Sequence, residues 1–125
     1  MILLLDAHAV LWWLADDPTL DQVARAAIAE PTNDILVSAA SIWEIEIKRA
    51  LGKLSAPFGL VAAVDEAGFD VLPITGQDAE RAGSLPAHHR DPFDRMLVAQ
   101  ASRVGAIVVS RDIAFLAYGT DVLTA

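Results

Sequence analysis

Residues 91–109, which read DPFDRMLVAQASRVGAIVV, place a helix directly before a strand and decide how the two run. Proline at the first helical position and Gly105 after the last one predict a helix over Pro92–Val104. The apolar run Ala106–Val109 then predicts a buried strand. Because only one residue separates them, the helix must run antiparallel to the strand. Its first turn must therefore lie at the edge of the sheet where the strand ends.

Short apolar runs and segments of helical periodicity alternate along the rest of the chain. Further strands are expected at Ile2–Leu5, Ile35–Ser38, Phe69–Ile74 and Val122–Leu123. Further helices are expected at Ala7–Leu14, Leu20–Glu30, Ser41–Leu51, Leu60–Ala67, Gln77–Ala82 and, as a short turn, Ile113–Ala117. Strands separated by helices imply parallel crossovers, and continuous apolar runs suit strands covered on both faces. We therefore predict an α/β fold with a central, mostly parallel sheet, in a single domain over residues 1–125.

Composition narrows the class of protein. Hydrophobic residues make up 54% of the 125 residues, which is enough to form a core, and cysteine is absent. A disulfide, a thiol nucleophile and a cysteine-based zinc site are therefore excluded. The N-terminus lacks the pattern of a signal peptide, and no apolar window approaches the length of a membrane span. We expect a soluble cytoplasmic protein that does not enter a membrane.

Four acidic residues fall where a parallel α/β sheet binds ligands, beyond the carboxyl ends of its strands. Two of them directly follow predicted strands, and two are expected in the first turns of helices that begin at the same edge. Clustered carboxylates cannot all stay ionised without a cation. We therefore predict a divalent-metal site, and with it hydrolytic chemistry. Its candidate residues are Asp6, Glu44, Asp94 and Asp112.

Asp94 has a further property that favours a metal-binding role. Its helix face is shared by Leu97, Val98 and Ala101, so the carboxylate should face the core and need a partner or a metal. Asp94 could instead stabilise the positive end of its helix. Asp91, which stands directly before the first helical residue, is better explained as the N-cap.

The other three acids also have structural explanations. Asp6 could cap the helix that follows it. Glu44 could complete a capping box with Ser41, or it could pair with Lys48 one turn later. Asp112 could be an ordinary turn residue. These alternatives stay open at the level of the sequence.

The histidines and tryptophans give weaker signals. No histidine lies at the spacing from another ligand that would indicate zinc. His8 is interpreted as packing on its helix, and His88 and His89 as part of a solvated polar loop over Ser84–Arg90. The tryptophans are expected in the core or at a subunit contact, with base stacking as a weaker alternative. They are Trp12, Trp13 and Trp43.

Four segments together resemble a known family. They are DAHAVLWWL at 6–14, SIWEI at 41–45, RDPFDRMLVAQA at 90–101 and SRD at 110–112. The chain resembles PIN-domain proteins, and more narrowly the VapC toxins of bacterial type II toxin–antitoxin systems. The resemblance spans essentially the whole chain in the right order, and the DPFDR block is its most specific part.

The resemblance implies a PIN-like α/β/α sandwich, an endoribonuclease that depends on Mg²⁺ or Mn²⁺, an RNA substrate and a cognate VapB-type antitoxin. It maps the acidic quartet of the family onto the same four acids, with Asp6 and Asp94 as the principal metal ligands. Ala7 departs from the family, since many members carry a hydroxyl at that position. The apolar stretches Trp12–Trp13 and Ile42–Ile47 could serve a homodimer, an antitoxin contact or the core.

The net charge of −8 argues against nucleic-acid binding when it is taken alone. Most of the nine Lys and Arg residues nevertheless lie within ten residues of a candidate acid, which permits a local positive rim. Ordinary solvated faces are the alternative. If RNA is the substrate, the region of Lys48, Arg49 and Arg95 could hold flanking phosphates.

Two other functional classes fit parts of the sequence. A phosphoacceptor receiver-like signalling domain also gathers acids at the carboxyl edge of a parallel sheet, but it normally has paired acids after the first strand and a lysine after the last. Here Asp6 stands alone, and no lysine follows Lys53. A catalytically silent interaction domain is less compatible with four clustered acids, because their repulsion would cost stability.

Overall fold

Five parallel strands form the central sheet in a computed structural model that describes all 125 residues. The strands are β1 (Ile2–Leu5), β2 (Asp34–Ser38), β3 (Asp70–Leu72), β4 (Ile107–Val109) and β5 (Val122–Leu123). The helices are α1 (Ala7–Leu14), α2 (Gln22–Ala29), α3 (Ala39–Ala50), α4 (Leu60–Glu66), α5 (Gly76–Ser84) and α6 (Pro92–Val104). A 3₁₀ helix follows β4 at Ile113–Tyr118. No helix has the length and apolar character that crossing a bilayer requires.

The order of the strands is β3-β2-β1-β4-β5, so β1 lies at the centre. Leu5, its last residue, is in register with Val37 of β2 and Val109 of β4. Because the strands are parallel, their carboxyl ends meet at one edge of the sheet. The side chains that follow β1, β2 and β4 along the chain are thereby brought together at that edge.

Helices cover both faces of the sheet and produce two cores. Leu3 and Leu5 of β1 belong to the first core, whereas Leu4 between them belongs to the second. This alternation follows from the pleat of a strand, in which successive side chains point to opposite faces. The second core also contains Leu97 and Val98 of α6, and each such buried side chain contributes roughly 2 kcal/mol. The predicted α/β/α sandwich is confirmed.

The start of α3 differs from the prediction. The helix begins at Ala39 and not at Ser41, because Ser38 at the end of β2 acts as the N-cap and accepts the backbone N–H of Ala40 at 3.0 Å. Glu44 therefore lies in the second turn, and the prediction of a first-turn position was wrong. The suggested capping box of Glu44 with Ser41 is absent for the same reason, since Ser41 is a buried residue inside the helix.

Two buried polar contacts fix α6 against the rest of the fold. Gln100 is fully buried, accepts the hydroxyl of Ser38 at 2.6 Å and thereby joins α6 to β2. Asp78 of α5 accepts the guanidinium of Arg103 in α6, at 2.8 Å on Oδ1 and 3.0 Å on Oδ2. The same carboxylate accepts the backbone N–H of Thr75, whose hydroxyl caps α5 in return. These contacts hold the helix that carries Asp94 in a fixed position.

Candidate active site

An open cavity of about 350 Å³ lies at the carboxyl edge of the sheet. All four predicted acids line it, although they come from four separate segments of the chain. The structure therefore brings together Asp6, Glu44, Asp94 and Asp112. The remaining lining residues are mostly polar or charged and include His8, Trp12, Lys48, His89, Asp91, Ser110 and Arg111.

Asp6 caps the N-terminus of α1 and also lines the cavity. Its Oδ1 accepts the backbone N–H of Ala9 at 2.8 Å, so the predicted capping contact exists. The residue is 9% exposed, and burial raises the pKa of its carboxyl, although the Ser110 hydroxyl and the Ala9 N–H partly offset this. Capping and metal binding are compatible, because a carboxylate has a second oxygen.

Asp94 is the most perturbed carboxyl of the cavity. It lies in the first turn of α6, its side chain is only 16% exposed, and its pKa is raised to about 7. Burial is the main cause, and the charges of Asp91, Asp6 and Glu44 add to it, whereas His89 opposes it. Asp94 is therefore a carboxylate that lacks sufficient positive charge nearby.

Asp91 and Asp112 act as helix caps at the edge of the cavity. Asp91 accepts the N–H of Phe93 at 2.9 Å, which is the predicted N-cap of α6. Asp112 accepts the N–H of Ala114 at 2.9 Å, and this hydrogen bond is the main reason why the pKa of its carboxyl is lowered. Asp112 is therefore a turn residue, as one reading of the sequence predicted, and it also lines the cavity.

Glu44 is paired with Lys48. Its side chain is 8% exposed, and the ammonium of Lys48 lies 2.5 Å from Oε2, one helical turn away. This hydrogen bond raises the pKa of Lys48. The predicted pairing is confirmed, and Lys48 neutralises part of the negative charge of the cavity.

His89 is the residue that the sequence did not reveal. The solvated-loop interpretation was wrong, because Nε2 of His89 lies 2.7 Å from Oδ2 of Asp112 and 2.8 Å from Oδ2 of Asp94. Burial lowers the pKa of His89, but the hydrogen bond to Asp112 and the charge of Asp94 outweigh it and leave the pKa raised. No spacing rule could identify this contact, because it depends on the path of the loop before α6.

Two of the three cations proposed for phosphates are engaged elsewhere. Arg49 pairs with Glu46 and donates to the carbonyls of Ala56 and Pro57. The guanidinium of Arg95 is directed at the end of α5 and the loop that follows it. The backbone carbonyls that accept from it belong to Ala82, Gly83, Leu85, Pro86 and His89. These arginines hold loops together, and the cations that line the cavity are Lys48 and Arg111.

The aromatic residues separate into two groups. Trp12 and Trp13 pack against the first core, and the guanidinium of Arg111 lies 4.5 Å from the centre of the Trp12 ring. Trp43 is 62% exposed and stacks edge-to-face on Phe93 at 5.5 Å. The core alternative therefore holds for Trp12 and Trp13, whereas for Trp43 it was wrong and the subunit contact stays a prediction.

The donor set of the cavity suits a hard divalent cation. Carboxylate oxygens are the ligands that Mg²⁺ and Mn²⁺ prefer. One oxygen of Asp94 and one oxygen of Asp112 lie within 4.8 Å of each other, so both carboxylates can act on one cation. The raised pKa of Asp94 indicates that negative charge at the site is not fully compensated by the protein. A bound divalent cation would supply the missing positive charge, so the residues of the cavity fit such a cation.

Residues 3–120 match the PIN domain family, and the chain belongs to this family. Among curated proteins it is similar to Ribonuclease VapC22 of Mycobacterium tuberculosis, with 32% identity over 112 residues, 87% of this chain and 85% of that protein. The predicted family is confirmed. Because the chain is a PIN-domain protein, the alternative of a receiver-like signalling domain was wrong.

Solved structures with the same fold include VapBC complexes. VapBC2 from Rickettsia felis, bound to a DNA fragment from its promoter, superposes with a TM-score of 0.70 at 14% identity and 98% coverage of both chains. DNA-bound VapBC from Salmonella typhimurium gives a TM-score of 0.68 at 18% identity, covering 98% of this chain and 97% of that one. At these identities the likeness shows the fold.

Proposed function

We propose that this PIN-domain protein is a metal-dependent endoribonuclease and the toxin of a type II toxin–antitoxin module. The observation that carries the proposal is the convergence of four carboxylates from separate segments in one cavity, with Asp94 left at a raised pKa. Family membership and the relative that is named a ribonuclease support the chemistry. Strongly perturbed acids in a cleft are typical of sites that work on a substrate.

Asp6 and Asp94 would hold the cation directly, because both are buried carboxylates whose pKa is raised. Glu44 and Asp112 would act through water or hold a second ion, since each already accepts a strong donor from the protein. A divalent cation, Mg²⁺ or Mn²⁺, supplies Lewis-acid chemistry: it acidifies water and neutralises charge that develops on a phosphate.

The other residues of the cavity have separate tasks. Glu44 or Asp112 would orient the attacking water and accept its proton. Lys48 and Arg111, the two cations that line the cavity, would contact the phosphates on either side of the cleaved bond. Arg111 also donates to the carbonyls of Thr19 and Ala125, so it would use its remaining N–H groups. Single-stranded RNA is the substrate that this open cavity suits best, because its backbone can be presented without a duplex partner.

Two protein partners complete the proposal. A VapB-type antitoxin is supported by the solved relatives from Rickettsia felis and Salmonella typhimurium, which are VapBC complexes. A homodimer is supported by large apolar side chains that remain exposed on the isolated chain, among them Trp43 at 62% and Ile113 at 80%. Cytoplasmic action follows from the RNA substrate and is part of the same proposal.

The decisive experiment is to sequence RNA ends after controlled expression of the wild type and of Asp94→Asn. The wild type should produce new ends at a small set of sites, and Asp94→Asn, which keeps the shape of the side chain, should produce none. Purified wild type should cut the same sites with Mg²⁺ or Mn²⁺ and stop when a chelator is added. Full cleavage by Asp94→Asn would refute the assignment of the site, and cleavage in the chelator would refute the metal.

A further inference from the structure

Asp112 and Asp94 differ in how far the protein itself uses their oxygens. Both oxygens of Asp112 accept a hydrogen bond from the protein, Oδ1 from the N–H of Ala114 at 2.9 Å and Oδ2 from Nε2 of His89 at 2.7 Å. Asp94 accepts no directed hydrogen bond, and its Oδ2 only contacts the same nitrogen of His89 at 2.8 Å. One carboxylate is therefore fixed in orientation, and the other is open to a ligand.

The backbone of Asp91 decides which nitrogen of His89 carries a proton. Its N–H donates to Nδ1 at 3.2 Å, so Nδ1 is an acceptor. Nε2 then carries the proton in the neutral ring, and it also carries one when the ring is charged. A histidine that binds a metal normally has the opposite arrangement, with its remote nitrogen donating to a carbonyl or carboxylate. His89 is thus arranged as a donor to the carboxylates and not as a metal ligand.

The loop that carries His89 is held firmly in place. The backbone N–H of His89 donates to the hydroxyl of Tyr118 at 2.9 Å, and this hydroxyl donates to Pro86 O at 2.8 Å. Arg95 binds several carbonyls of the loop, including that of His89 at 3.3 Å. The imidazole lies against the buried ring of Phe115, with 6.5 Å between centroids. The position of Nε2 is therefore built into the fold.

We infer that His89 is a positioning residue that holds Asp112 in place and keeps it beside Asp94, so that the cation site is formed before the cation arrives. The inference rests on the proposed function for the presence of a divalent cation. Without the donor, two carboxylates that share one site would repel each other. The side chain of Asp112, which is 40% exposed, would then turn toward solvent. Loss of such an orienting partner typically weakens metal affinity about 10–100-fold.

The test measures Mn²⁺ affinity of the full chain by calorimetry, with four variants. His89→Leu removes the donor and should bind Mn²⁺ about 10–100-fold more weakly than the wild type. His89→Gln places an amide N–H at about the reach of Nε2 and should restore most of the affinity, whereas His89→Asn is too short and should not. His88→Gln is the matched control, because the neighbouring His88 stacks on Tyr118 outside the cavity and should leave affinity unchanged.

Four other outcomes would contradict the inference or move its test to another variant. Equal or tighter binding by His89→Leu would overturn the inference and make His89 a competitor of the cation or a bystander. Coupling of bound Mn²⁺ to an imidazole ¹⁴N in pulsed electron paramagnetic resonance, lost in His89→Gln, would overturn it by making His89 a ligand. If His89→Leu fails to fold, the difference in Mn²⁺ affinity between His89→Gln and His89→Asn tests the inference instead. If the wild type does not bind Mn²⁺, both the proposed function and the role of His89 are refuted. If it binds Mn²⁺ but cuts no RNA, only the proposed function is refuted.

Discussion

Two buried aspartates on neighbouring helices respond to burial in opposite ways. The side chain of Asp78 on α5 is 2% exposed, yet the pKa of its carboxyl is lowered, chiefly by the hydrogen bonds from Arg103. The side chain of Asp94 on α6 is 16% exposed, and its pKa is raised to about 7. The acid with the less exposed side chain is therefore the one that ionises more easily.

The difference shows that the partners of a buried carboxylate decide whether the cost of burying its charge is offset. Asp78 receives a two-point contact from a guanidinium and a backbone N–H from Thr75, so the folded protein stabilises its anion. Asp94 faces other acids and a single contact with His89, so the folded protein disfavours its anion. Asp78 serves the stability of the fold, whereas Asp94 is available for a ligand.

The largest expected effect is on activity. Asp6→Asn should lower RNA cleavage about a thousandfold, or ~4 kcal/mol of transition-state stabilisation, because one direct cation ligand is lost. Asparagine is also a good N-cap, so α1 should be retained. Cleavage of a labelled RNA in Mg²⁺ measures the rate. Asp78→Asn is the control, and its folded fraction should keep near wild-type activity; a comparable loss in that control would contradict the division of roles.

The next largest effect is on the stability of the α5–α6 contact. Asp78→Asn should lower the free energy of unfolding by about 2–3 kcal/mol, because two charge-assisted hydrogen bonds from Arg103 are weakened while its guanidinium can still reach water. Urea denaturation at pH 7 measures the change. A loss of less than ~0.5 kcal/mol would mean that the pair behaves as a surface ion pair.

Asp94→Asn should change stability in the opposite direction. In a chelator at pH 8 the variant should be more stable than the wild type by on the order of 2 kcal/mol, since the unfavourable anion is removed. The gain is smaller than the full pKa displacement implies, because the attraction of His89 to the anion is lost as well. Urea denaturation of both proteins checks the sign, and a variant that is less stable would show that the Asp94 anion is already compensated.

The smallest expected effect is on the pH dependence of stability and on how far a bound cation restores that stability. The folded-state pKa of Asp94 lies above 3.8, so between about pH 4 and 7 the folded protein binds more protons than the unfolded chain. Its contribution to stability therefore falls as pH rises through this window. At pH 8, Mg²⁺ at ten times its Kd should restore about 1.4 kcal/mol. Thermal unfolding with and without Mg²⁺ tests this, and Asp94→Asn should show a flatter pH profile and little response.

Most of the fold could be predicted from local sequence. Proline at the start of α6, Gly105 at its end and the apolar run after it gave the correct helix and strand within one residue. The error at α3 arose because Ser38 and Ser41 are both plausible N-caps, and only the end of β2 decides which one acts. All four acids were predicted at the correct edge of the sheet from the order of strands and helices, although Glu44 lies in the second turn of α3 and not in the first.

The contacts within the site were less predictable. The pairing of Glu44 with Lys48 is a local helical relation and was found. The placement of His89 between Asp94 and Asp112 depends on a loop held by Arg95 and Tyr118, and it was missed. Arg95 itself was assigned to phosphates, because a sequence cannot show that five backbone carbonyls already accept from its guanidinium.

The sequence by itself determined the PIN family, the order of the elements and the edge at which the acids meet, because periodicity, caps and motifs act over a few residues. Only the tertiary structure decided which carboxylates are satisfied and which are open. Charge and hydrogen bonding depend on distances of a few ångström between residues that are far apart in the chain. That is why Asp78 and Asp94, two aspartates in the first turns of adjacent helices, differ in pKa and in role.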